Sequence, residues 1–163
     1  MEYRATLEAV AETVQDLELS APRRLQEAMV LLLAGKNHTA IYIAGLAAEM
    51  YLKTACFFLG GASPATRTDT MLSPVRPRIY SPPFTADFES GHGLWFWSQE
   101  LIARRKARKL GTAPNRFKQI CATLYLNWYI GMRYRPGVAT QGNAERFLTS
   151  VEWLANNHAM LRR

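Results

Sequence analysis

The sequence is short of the groups that most chemistry needs. Only two cysteines occur in 163 residues, Cys56 and Cys121, and both sit in apolar stretches. Buried, reduced thiols are the expectation, as in a cytosolic protein. There is no Cys–x–x–Cys, and the three histidines (His38, His92 and His158) are far apart, so no metal-ligand spacing exists. Glycine-rich phosphate loops and Gly-x-Ser-x-Gly are absent, and the carboxylates form no evident dyad. No cofactor is implied. The N-terminus, MEYRATLEAV, has no apolar core before a cleavage site, which predicts a cytoplasmic chain. Strand-like alternation and internal repeats are missing too, which leaves helices as the building material.

Acid is the next shortage. Between Leu101 and Asn143 there are nine Lys or Arg and no Asp or Glu. The formal charge of +7 is therefore lopsided, with −2 over residues 1–60 and +9 over residues 61–163. Arg104, Arg105, Lys106, Arg108 and Lys109 end one expected helix, Arg116 and Lys118 begin the next, and Arg133 and Arg135 end that one. The helix macrodipole favours cations in a last turn, but like charges four apart, such as Arg104 and Arg108, repel. A run this dense points to an anionic partner, RNA or another polyanion, touched through phosphates rather than bases. A solvated basic face with no partner is the plain alternative.

What the sequence does have is helical periodicity. At 48% hydrophobic and 20% charged, residues 1–163 read as one domain with a real core. Tyr3, Leu7, Val10, Val14 and Leu17 predict an amphipathic helix over 2–18, stopped at Ser20-Ala21-Pro22. A second helix runs to about Ala34, with Gly35 past its end and Asn37 as cap of the next. The stretch Asn37–Gly60 is apolar on almost every side, as in a helix buried all round. Its length would span a bilayer, but Glu49 and Lys53 lie mid-span and would each cost about 2.5–3.5 kcal/mol there. A buried core helix with no membrane contact is the better reading.

Residues 61–90 break character, with five prolines and no helical period, and read as a long loop that either binds something or is a disordered insertion. Helices are predicted over about 94–110, 115–134 and 143–161. The third of these is anchored by Phe147, Leu148, Val151, Trp153 or Leu154, and Met160. The expectation is an all-α antiparallel bundle of about five to six helices with one Pro-rich loop.

Several of these pieces, taken in order, resemble a known family. Ala28, Leu32 and Leu33, Gly35, Tyr42, Ala44, Ala48, Glu49, Lys53 and Gly60 are similar to the first helical hairpin of the HEPN domains (higher eukaryotes and prokaryotes nucleotide-binding). Gly91-His92-Gly93-Leu94, Met132-Arg133-Tyr134 and Ala144-Glu145-Arg146-Phe147-Leu148 fit the same order, so the likeness covers about residues 22–160. It implies an antiparallel bundle, often a homodimer, in some cases partnered with a nucleotidyltransferase as a toxin–antitoxin pair. Many members are metal-independent ribonucleases marked by an Arg, a polar residue and a His four to six residues on. That spacing is absent before His38, His92 and His158, and Val138, Ala139 and Thr140 stand where a His should follow Arg133-Tyr134. A binding or adaptor module is therefore expected. Arg133, Tyr134 and His92 are the candidates if any cleavage survives, and a structural or protein-interaction dimer is the third reading.

Two polar features stay open. Glu49 and Lys53 are four apart, in the favourable order for an intrahelical pair. Alternatively a buried Glu49 could be neutralised by Arg133 from a facing helix. His92, between two glycines at a helix start, reads as a capping or packing residue with no acid partner at useful spacing.

Overall fold

The computed structural model describes residues 12–79, 92–111, 113–134 and 137–163, with Ile79, Arg133 and Tyr134 described in backbone only. The first ten residues of the helix expected over 2–18, the prolines Pro82 and Pro83, and Arg135 lie outside these residues. Among the described residues there are seven α-helices and no strand, so the all-α bundle is correct.

Helix α1 (Val14–Leu33) begins at a reciprocal cap. Thr13 Oγ1 accepts from the Asp16 amide at 3.2 Å, and the Asp16 carboxylate accepts from the Thr13 amide at 2.8 Å. The stop expected at Ser20-Ala21-Pro22 does not occur: the helix runs straight through Pro22. Pro22 is exposed, so the carbonyl its ring leaves unbonded faces the solvent side. Val14, Leu17, Ala21, Leu25 and Ala28 form one continuous buried stripe that outweighs the lost hydrogen bond. The helix closes as expected at Gly35, whose φ of 70° lets the Lys36 amide reach the Leu31 carbonyl and the Gly35 amide reach that of Leu32.

Three residues later α2 (Asn37–Leu59) returns antiparallel to α1. Asn37 does not cap it. Lys36 holds that position without a side-chain hydrogen bond, and Asn37 lies inside the first turn. The central position of α2 is confirmed: α1, a later helix at Leu94–Ala107 and the last helix at Gln141–Leu161 all pack on it. Ala40, Ala44, Ala47, Ala48, Leu52 and Phe57 are buried around its circumference. By length and composition alone it could cross a membrane; here it is the core. Its small residues admit close neighbours. The Trp128 indole lies on Gly45, where a Cβ would fall 2.0 Å from Nε1, and that Nε1 donates to the Tyr42 carbonyl at 3.0 Å.

The segment expected to be a structureless loop contains two short helices, α3 (Thr68–Leu72) and α4 (Arg76–Ile79). It is strapped to the start of α1. The Val14 and Gln15 amides donate to the Thr66 and Pro64 carbonyls at 2.9 and 3.0 Å, and the Thr68 amide donates to Glu12. These are the free N–H groups that any helix start must satisfy. Val75 is fully buried, and Arg78 forks onto the carboxylate of Glu100 at 2.8 and 3.0 Å.

Helix α5 (Leu94–Ala107) buries Phe96 and Trp97, while Trp95 is half-buried against the exposed ring of Tyr125. Helix α6 (Asn115–Asn127) is shorter than expected. The chain turns extended at Trp128 (φ −140°, ψ 138°) and resumes as a 3-10 turn over Ile130–Tyr134. That break is what swings the Trp128 indole onto Gly45. Helix α7 (Gln141–Leu161) starts two residues before the expected point, because Thr140 caps it by accepting from the Asn143 amide. Phe147, Leu148, Val151 and Leu154 are the buried anchors, but Met160 is 38% exposed and Leu161 takes the inward place instead.

Candidate functional site

The basic residues of α5 and α6 meet where α5 ends and α6 begins, and they divide into two groups. Arg105 is buried. Its Nη1 donates to the carbonyls of Met160, Leu161 and Arg163 at 2.8–3.0 Å, and its Nη2 donates to Leu110 at 3.2 Å. It therefore closes the ends of α5 and α7 together. Arg104 donates to Glu100 at 2.5 Å and to the Cys56 carbonyl at 2.9 Å. Both arginines are used by the fold. Lys106, Arg108, Lys109, Arg116 and Lys118 are exposed. The Arg105–Arg163 contact brings exposed Arg163 to the same end, a neighbour that no local sequence signal reveals. The backbone of Arg133 lies beyond the far end of α6, about 20 Å of helix rise away. The side chains of Arg133 and Tyr134 lie outside the described residues, as does all of Arg135.

The second place is built around Glu49, which is 5% exposed. One carboxylate oxygen pairs with Lys53 Nζ, so the intrahelical pair exists. The other lies 2.8 Å from His92 Nδ1. The two partners thus account for both oxygens, and the acid partner that sequence spacing did not reveal for His92 is Glu49. His92 does not cap α5 either, since Gly93 holds the N-cap position. Burial pushes the Glu49 carboxyl upward, but the Lys53 charge and the His92 hydrogen bond outweigh it and hold it below the usual carboxylate range. Lys53 Nζ also sits 5.5 Å from the centre of the Trp97 ring. His92 and Glu49 are 43 residues apart on different elements, a separation no local pattern encodes.

A cavity of about 170 Å³ opens beside this cluster, between α1, α2 and α3. Glu12, Glu49, Lys53, Thr68 and His92 supply its polar lining. No group of three or more His, Cys, Asp or Glu side chains placed to hold a metal occurs among the described residues. Burial pushes the thiols of Cys56 and Cys121 up, the latter to about 12, so neither is a ready thiolate. His158 is enclosed against Thr54 Oγ1 at 2.9 Å, and burial, helped by Arg162, brings it down to about 4.

Among known proteins, no family model, no curated protein and no solved structure matches this chain.

Proposed function

We propose that the protein is a HEPN-like helical binding module that holds RNA or another polyanion where α5 meets α6. One observation carries the reading: Lys106, Arg108, Lys109, Arg116 and Lys118 are exposed at one turn of the chain, with no acid between Leu101 and Asn143. Such a surface attracts phosphates at any sequence and releases counterions when it binds. Arg104 and Arg105 support it from inside by fixing the helix ends. The helical hairpin α1–α2 agrees with the architecture the family resemblance implies. Nothing favours the family's cleavage chemistry, because the Arg–His spacing is absent and His92 is engaged by Glu49.

Single-stranded RNA binding, followed by fluorescence anisotropy, tests the reading. Five phosphate contacts give a salt slope near −3.5, a loss of roughly a hundredfold between 50 and 200 mM salt. Replacing Lys106, Arg108 and Lys109 together by Ala should flatten the slope by more than half and leave the melting temperature in place. Binding indifferent to salt and to this variant removes the proposal.

A further inference from the structure

The cavity beside Glu49 has the opposite electrical character to the surface of this basic chain. Its lining holds two carboxylates, Glu12 and Glu49, against one ammonium, Lys53. Lys53 is turned toward Glu49 and the face of Trp97. The ionised Glu49 can only accept a hydrogen bond, so His92 Nδ1 is the donor of this pair, and in the neutral imidazole Nε2 then presents a lone pair. Thr68 Oγ1 donates to one Glu12 oxygen at 3.0 Å, which leaves the other oxygen available to accept. The remaining wall is apolar, with Leu17, Leu46, Met50 and Leu72.

We propose that this cavity is a binding site for a small organic amine, a protonated amino group on an apolar body about one ring in size. The ammonium donates to His92 Nε2 and to the Glu12 carboxylate. The body lies between Leu46, Met50 and Leu72. A cavity close to this volume takes a single six-membered aromatic ring. Two carboxylates make the site hostile to an anion, and a neutral isostere forgoes the attraction. Ligand pockets of this kind, mostly apolar with a few convergent polar groups, fix orientation through those groups.

Titration of the full chain with benzylamine, benzyl alcohol and benzoate, followed by amide chemical shifts and melting temperature, tests the site. Benzylamine should bind saturably, shift amides near Glu49, Thr68 and His92, and raise the melting temperature. Benzyl alcohol should bind at least about tenfold more weakly, and benzoate should not bind. Two variants complete the test. Glu12→Gln removes a charge from an exposed residue and should weaken benzylamine about tenfold. Leu72→Trp fills the cavity and should abolish binding. The proposal is overturned by no saturable benzylamine binding up to about 10 mM, by equal affinity for the alcohol or benzoate, or by unchanged affinity in either variant. RNA binding by the same two variants should be normal, so this site and the basic surface fail or succeed separately.

Discussion

The guanidinium of Arg105 lies 2.8 Å from the carbonyl oxygen of Leu161, so a side chain of α5 closes the end of α7. Arg105→Ala would strip several buried carbonyls of their donor, at about 1–3 kcal/mol for each one left unsatisfied. A loss of at least about 3 kcal/mol in urea unfolding is expected, and Arg105→Lys should not restore it, because an ammonium lacks the fork. Arg108→Ala, three residues further on at the end of the same helix but exposed, should stay within about 0.5 kcal/mol of the parent while weakening RNA binding.

Glu49→Gln leaves Lys53 partly buried without its counter-charge and should destabilise by about 3 kcal/mol. The pH dependence has a definite sign. The folded carboxyl titrates lower than the unfolded one, so its contribution is present above the ordinary carboxylate range and is lost as pH falls through it toward the folded value. The acid limb of the melting curve should be flatter in Glu49→Gln. An unchanged melting temperature at pH 7 would sink the pair as a stabilising element.

His158 works in the same direction through the opposite charge. The fold keeps it neutral down to about 4, whereas the unfolded chain takes up a proton near 6.5. Stability is therefore lost as pH falls from about 6.5 to about 4, by on the order of 3 kcal/mol across that window. Melting temperatures at pH 7.5, 6 and 4.5 for the parent and His158→Gln should converge toward acid. Parallel curves would argue against a neutral buried imidazole.

Gly45→Ala tests the close approach at the core. The added Cβ would collide with the Trp128 ring and displace the indole from the Tyr42 carbonyl. Overpacking costs about 1–3 kcal/mol, which exceeds the roughly 1 kcal/mol that Ala gains over Gly in a helix. A lower urea midpoint with red-shifted tryptophan emission is expected, and a more stable variant would contradict the contact.

The architecture was legible because periodicity and caps are local. The buried run of α2, the Gly35 terminator and the inward stripe of Phe147, Val151 and Leu154 follow from residues within a few positions of one another. Pro22 misled because its cost is local while the compensating stripe on α1, from Val14 to Ala28, spans about four turns. The helix expected over about 115–134 breaks at Trp128, which the sequence did not reveal because the indole's destination, Gly45, is on another helix. The basic end was visible as composition, but which arginines remain free was not. Arg104 and Arg105 look like their neighbours in sequence, and only the positions of Cys56 and Leu161 distinguish them. The Glu49–Lys53 pair could be read at four-residue spacing, while His92 needed the fold to reach it.

The strap of residues 64–68 across the first turn of α1 has a consequence for how the chain matures. The amides of Val14 and Gln15 find their acceptors about fifty residues downstream, beyond the whole of α2. On a ribosome the first turn of α1 would have only its local Thr13–Asp16 cap until that later stretch had emerged. A nick by protease between α2 and α3 would weaken the entry of α1 rather than merely opening a surface connection. Shortening this connection is thus a poor way to simplify the protein, and its Pro64–Thr68 stretch belongs to the foundation of the hairpin.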